Sequence, residues 1–178
     1  MKTLPADQQD ELWDKYWREM GQEWFKVEVL QDYKGEDNGS SLLAWLSGDK
    51  KLSIELLETD EDPEFTKDCR QKTAQGVKLS RVHIVEEPLS PYMQWEMEYY
   101  KRVSIPLRGE QVFVVRKSDL NSSDLPDGDL MIFDKRRAIV NSYDQTGLMT
   151  QADFYDESDD INHFLRLRKV LNLASKPI

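Results

Sequence analysis

"GVKLSRVHIVEEPLSPYMQWEMEYY", residues 76–100, holds a strand, a corner and a helix in one run. Residues 77–86 alternate strictly, as a β-strand does. Val77, Leu79, Arg81, His83 and Val85 fall on one face, and Lys78, Ser80, Val82, Ile84 and Glu86 on the other. Neither face is purely apolar. A strand of that kind lies well inside a sheet and carries one polar end. Pro88 stops it, because proline cannot donate to a ladder. Ser90 followed by Pro91 is a helix start signal. On that helix Tyr92, Glu96 and Tyr99 are spaced i, i+4 and i+7 with Trp95 beside them.

Working outward, residues 6–22 read as an N-terminal helix with acids in the first turn and Gly21 at its end. Its stripe is Leu12, Trp13, Tyr16, Trp17 and Met20, best taken as core. Residues 24–33 alternate as a strand, with Phe25, Val27 and Val29 opposite Lys26 and Glu28. Residues 34–41 are loop chemistry, with Ser40 or Ser41 available to cap a short helix through Trp45 and Leu46. The stretch 51–65 is ambiguous: its first half fits a strand, and a helix then runs from Pro63 to about Gln75. Acids at 58–64 admit a metal, but around a proline they read better as a solvated helix entrance.

Downstream come a strand at 111–117, a turn at 125–129, and strands "LMIF" and "AIVNSY" forming a hairpin across Asp134 to Arg137. Residues 147–156 read as a further strand. A C-terminal helix spans 158–174, capped by Ser158 and buried through Ile161, Phe164, Leu165, Arg168 and Leu171. The pattern predicts an α/β (or α+β) fold, with residues 1–178 forming a single domain. A mixed sheet of about five to seven strands and its helices would occupy 24–155, with three or four helices in all.

The chain has 178 residues, 39% of them hydrophobic and 33% charged, which suffices for a core without staples. The single cysteine, Cys69, cannot form an internal disulfide, and no apolar leader follows Met1. A reducing cytoplasm is therefore the expected compartment. Nothing approaches the roughly 20 apolar residues of a membrane span. A net charge of −10 disfavours direct nucleic-acid binding on average. The one basic run, at 134–138, reads as a solvated hairpin tip.

Catalytic motifs are scarce. His83 and His163 lie 80 residues apart, with no HExxH, CxxC or HxH spacing, so neither a metal nor a cofactor is expected. Phosphate-cradling loops and nucleophile elbows are absent. Cys69 reads as a small core residue. A glutamate among aromatics near a helix start can carry a raised pKa, which singles out Glu96; the structural alternative pairs it with a basic residue such as Arg81.

The opening run resembles a bacterial family catalogued only as a domain of unknown function. That family's signature is a helix ending in Gly, an Arg-Val-x-Val strand, Pro-x-Ser-x-Tyr and a Glu four residues on. Here those positions are Gly76, Arg81, Val82, Ile84, Pro88, Ser90, Tyr92 and Glu96. The segments "GEQVFVV" (109–115) and "DGDLMIFDKRRAIVNSYDQTGLMTQADFYDES" (127–158) are similar too, so the resemblance spans roughly residues 8–174. Departures are the Asn that usually precedes Gly-Glu, where this chain reads "RVSIPLR", and the stretch 47–60. The resemblance implies gene neighbourhoods with helix-turn-helix regulators in Gram-positive bacteria. The order of segments is also similar to degenerate phospholipase-D-like domains, although no His-x-Lys occurs at His83 or His163.

Two functional readings follow. The first is a non-catalytic module that senses a ligand or binds a protein partner in a regulatory locus, with no catalytic residues. The second is a hydrolase or transferase with a polar site around Arg81, His83, Glu96 and Asp134. The candidate ligand-binding set is Arg81, His83, Tyr92, Glu96, Glu110 and Asp134, and the partner is expected to be a small molecule or a protein.

Overall fold

A computed structural model describes residues 1–34 and 39–178; the part of the 34–41 loop expectation that falls on 35–38 lies outside the described residues. The decisive strand, β3 (Lys78–Val85), sits between two parallel neighbours. These are β2 (Glu23–Glu28) and β4 (Gln111–Arg116). Both of its faces are covered, which is why both carry apolar side chains.

The remaining strands are β1 (Lys2–Pro5), β5 (Asp129–Phe133), β6 (Arg137–Tyr143), β7 (Met149–Tyr155) and β8 (Lys176–Pro177). The order β1-β7-β6-β5-β2-β3-β4-β8 makes one mixed sheet. The three residues between paired Phe133 and Arg137 include Asp134 and Lys135 at φ 52° and 57°, and the Arg136 N–H closes the turn onto the Phe133 carbonyl at 3.0 Å.

Helices α1 (Asp10–Glu19), α4 (Pro63–Ala74) and α5 (Pro91–Tyr99) pack on one face. Tyr16, Trp17 and Cys69 meet Trp24, Leu79, Met131 and Phe133 there. On the opposite face α6 (Ser158–Ala174) buries Ile161, Leu167 and Leu171 against Phe25, Val27, Val82 and Ile132. Helix α2 (Ser40–Leu46) joins Tyr33, Val85, Tyr92 and Met93 through Leu42 in a third cluster. Strand β3 ends at Val85, and the Ser90 hydroxyl accepts the Met93 N–H at 3.0 Å, with Pro91 opening α5.

Eight strands exceed the expected five to seven because β1 and β8, of four and two residues, are too short to carry a readable alternation. Six α-helices, counted among the described residues, likewise exceed three or four. One helix that the sequence reading did not place is α3 (Lys50–Leu57), which stands where a strand was expected. Asp49 caps it by accepting the Leu52 N–H, and Ser53 and Leu57 bury one face at i, i+4 spacing. Neither Ser40 nor Ser41 caps α2; the Glu61 carboxylate accepts the Ser41 N–H instead, at 3.0 and 3.2 Å. Ser158 begins α6 without a side-chain cap bond. The first helix proper starts at Asp10, after a 3₁₀ turn at Ala6–Gln8.

Candidate functional site

On the α1/α4/α5 face, the polar residues of β2 and β3 meet beneath the helices. Alternation puts Trp24, Lys26 and Glu28 on that face, and register sets Lys26 beside Arg81 and Glu28 beside His83. The Arg81 guanidinium donates through Nη1 to both Glu28 oxygens at 3.0 Å and through Nε to Glu110 at 2.8 Å. All three residues are buried. Lys26 Nζ adds a second cation 2.7 Å from Glu28. Burial alone would raise the Glu28 pKa, but Arg81 and Lys26 hold it well below the usual carboxylate range.

His83 is fully buried behind this pair. Its Nε2 lies 2.8 Å from the Leu30 carbonyl, an acceptor, so Nε2 carries a proton. Its Nδ1 stands 2.9 Å from the Tyr100 hydroxyl and 3.3 Å from Glu96 Oε2. Tyr100 has one proton and donates it to Glu28 at 2.6 Å. Glu96 Oε2, although this close to the ring, has no hydrogen-bond partner among the described residues. Burial, then the neighbouring Glu28 charge, pushes the Glu96 carboxyl well up, while burial pulls the His83 imidazole down. Both shifts favour the neutral form of each group.

Tyr100 reaches this cluster because α5 does not end as an α-helix. Residues Tyr100–Ser104 form a π-helix, with Ile105 N–H bonded to the Tyr100 carbonyl at 3.0 Å. The wider turn sends Tyr100 inward and carries the chain on to Arg108 and Glu110. Single π turns inside helices recur at functional sites.

Above the charged floor lies a cleft of about 830 Å³, within the usual size of ligand pockets. Trp13, Phe65, Trp95 and Tyr99 wall it, and Trp24, Lys26, Glu28, Arg81 and Met131 line it from the sheet. Arg108 is buried with its guanidinium 4.8 Å from the Phe65 ring centre and 5.4 Å from that of Tyr99. Its Nε donates to Thr66 at 2.9 Å. A second buried carboxyl, Asp129, accepts hydrogen bonds from Val29 N–H, Tyr33 and Tyr143. Burial lifts its pKa to about 7.

Among the described residues, Glu28, His83 and Glu96 bring ligand atoms within 4.8 Å of one another, a spacing a metal ion could use. Arg81 and Lys26 both rest on Glu28, so a divalent cation there would meet two positive charges.

A family model described as "Domain of unknown function (DUF6879)" matches residues 11–178. The chain belongs to this family. Within it, the resemblance read from the β3–α5 run is borne out; gene neighbourhood and taxonomy are separate matters. No curated protein matches. Among solved structures, a phospholipase D family member, Nuc from Salmonella typhimurium, aligns with TM-score 0.53 at 8% identity, over 99% of this chain and 96% of its own. NucT from Helicobacter pylori aligns with TM-score 0.56 at 6% identity, over 99% and 98%. TrmBL2, an archaeal chromatin protein showing a novel mode of DNA binding, aligns with TM-score 0.48 at 12% identity, over 98% of this chain but 53% of its own. At these identities the likeness is one of fold.

One sequence expectation is corrected here. Direct nucleic-acid binding was disfavoured on net charge, and that expectation is withdrawn because the inference does not hold. A net charge averages over the whole surface and does not report its local patches.

Of the candidate residues, Arg81, His83, Glu96 and Glu110 come together, and Tyr92 joins the cleft wall. Asp134 does not join them. Its carboxylate accepts N–H bonds from Gly21, Gln22 and Glu23 at 3.0, 2.7 and 3.0 Å. That is the opposite end of β2, roughly 17 Å along the strand from Glu28 at about 3.3 Å per residue. Arg81 was expected to pair with Glu96; it takes Glu28 and Glu110 instead, leaving Glu96 to His83. Sequence reasoning missed Lys26, Glu28, Tyr100, Arg108 and Asp129. For Lys26 and Glu28 a signal existed, since they alternate with Phe25 and Val27 on a strand whose other neighbours are buried.

No helix among the described residues is long and apolar enough to cross a membrane.

Proposed function

We propose that this chain is a non-catalytic ligand-sensing module of its family, and that the aromatic-walled cleft over β2 and β3 receives the ligand. One observation carries the reading. Eight buried side-chain polar atoms lack a hydrogen-bond partner among the described residues, and five belong to residues lining this cleft: Gln9, Trp24, Glu96, Arg108 and Asn141. Unpaired buried polar atoms cost about 1–3 kcal/mol each, so their concentration at one concavity supports a partner that arrives from outside. A place beside helix-turn-helix regulators, in a reducing cytoplasm, agrees with this role.

The nucleophile inventory supports a role without catalysis. Cys69 is buried, and burial pushes its thiol up to about 12. His83 lies behind the cleft lining, with both ring nitrogens engaged.

The second reading, a hydrolase or transferase, is favoured by Glu96 alone: a carboxyl held protonated at the cleft is a ready general acid. Arg81 and His83 would then position it, and Asp134 would have no part.

A thermal-shift screen across sugars, amino acids, nucleosides and organic acids tests the proposal. The expected result is one class that raises the melting temperature of the parent and not of Trp13→Ala. If no class binds, or binding ignores Trp13→Ala, the reading falls. Turnover of an ester or phosphodiester abolished by Glu96→Gln would install the enzyme reading in its place.

A further inference from the structure

We infer that the cleft recognises a nucleobase, either of a free nucleoside or of an unpaired base in a nucleic-acid strand. This rests on the reading of the cleft as a ligand site and adds the chemistry of the ligand.

Setting Glu96 aside because its unpartnered oxygen faces His83 Nδ1 at 3.3 Å, four unpartnered buried atoms remain on cleft-lining residues. Two are donors, Trp24 Nε1 and Arg108 Nη2, and two are acceptors, Gln9 Oε1 and Asn141 Oδ1. Arg108 Nη2 is 3.6 Å from Asp62, beyond hydrogen-bond reach. Trp24 is 2% exposed, Arg108 4% and Asn141 8%, so these atoms are closed to water as the cleft stands, and a ligand pairs with them by displacing the side chains that cover them. A ligand that satisfies them must offer both acceptors and donors.

The walls narrow the choice further. Trp13 stacks on Trp17 with ring centres 5.4 Å apart and planes 10° from parallel. Across the cleft, Trp95 leans on Tyr99 at 5.5 Å. Such faces favour flat π-systems, on which every base can stack. The Arg108 guanidinium already lies between two rings, so what it offers a ligand is the Nη2 donor at its edge. An aliphatic ligand would leave the ring faces unused, and a plain hydrocarbon ring would leave the four polar atoms unpaired. A planar heterocycle with alternating donors and acceptors on its edge uses both.

The test is saturation-transfer NMR with calorimetry on the full chain, using adenosine, uridine, methyl ribofuranoside, indole and a single-stranded pentanucleotide. Base protons of the nucleosides should saturate, while the sugar and indole probes should not compete. Gln9→Leu, at a half-buried position, and Trp24→Phe should each weaken binding about tenfold, as loss of one buried hydrogen bond does. Unchanged far-ultraviolet circular dichroism qualifies each variant as folded. Pentanucleotide binding that exceeds the nucleosides and weakens with salt assigns the strand as the source; equal or better nucleoside binding assigns the free form. If the sugar or indole binds instead and Trp13→Ala abolishes it, the nucleobase assignment falls while the cleft reading stands. Nucleoside binding indifferent to both variants, or no binding by any probe, also overturns the assignment.

Discussion

Removing the Arg81 guanidinium is the sharpest test of how this fold tolerates charge beneath its helices. Arg81→Met keeps the length of the side chain and deletes three hydrogen bonds, two to Glu28 at 3.0 Å and one to Glu110 at 2.8 Å. Glu28 retains Lys26 and Tyr100, whereas Glu110 loses the guanidinium paired with it. Breaking a buried pair by removing one member costs about 3–5 kcal/mol, because the other charge stays behind uncompensated. For a chain of this size that is roughly 6–20 °C in melting temperature.

The pH dependence carries the sign. In the parent, Glu28 is held below its unfolded pKa, so its contribution is present above that value and disappears as pH falls through the folded one. In Arg81→Met the burial that opposes the charged Glu28 loses its largest counterweight, so the folded pKa of Glu28 rises. The deficit should therefore grow as pH rises, and be larger at pH near 8 than near 5. Adding Glu28→Gln and Glu110→Gln to Arg81→Met should recover part of the loss. Urea melts followed by tryptophan fluorescence measure each quantity, with Trp24 5.9 Å from the guanidinium as the local reporter. A loss below about 1 kcal/mol, a deficit equal at both pH values, or a triple variant weaker than the single one would refute the reasoning.

Tyr92→Ala empties a buried aromatic position packed with Tyr33 and Met93 and should cost on the order of 3 kcal/mol in thermal melts. Asp134→Asn keeps an acceptor for Gln22 and Glu23 and tolerates the left-handed backbone, so it should cost about 1 kcal/mol, against about 3 for Asp134→Ala; a normal melt with lost ligand binding would return Asp134 to the site. Asp129, raised from 3.8 to about 7, has its neutral form favoured by the folded state, so stability should decline from about pH 4 to 7, by up to about 4 kcal/mol. Asp129→Asn should flatten that slope in urea melts, and an unchanged slope would sink the assignment.

The sheet was legible where side chains alternate against two covered faces. Strand β3 announced its interior place through apolar residues on both sides, and Ser90-Pro91 announced α5 through local capping chemistry. Strands β1 and β8 were not legible, because two to four residues carry no period and their pairing is decided by distant partners. The α3 helix was misread for a similar reason: "LSIELL" suits either geometry until Asp49 caps one of them. In the site, Arg81, His83 and Glu96 stood out as polar residues within an apolar run. Arg108 and Tyr100 did not, because the π turn that aims them is a phase change no hydrophobic periodicity signals. Asp134 looked like a site residue since a carboxylate at a hairpin tip has no evident partner; its partners are backbone N–H groups more than a hundred residues away.

That π turn separates two parts of the molecule that would otherwise be locked in step. An α-helix run straight through Tyr100–Ser104 would hold one residue fewer per turn there, and everything beyond would rotate by about 100° about the axis. The floor, built from β2 and β3, would be untouched. A single insertion or deletion at this point therefore changes which side chain stands in the place of Arg108, between Phe65 and Tyr99, while the sheet keeps its register. Relatives that differ by one residue in this span would share a scaffold and present a different wall, and length variation here becomes a means of changing ligand preference without rebuilding the fold.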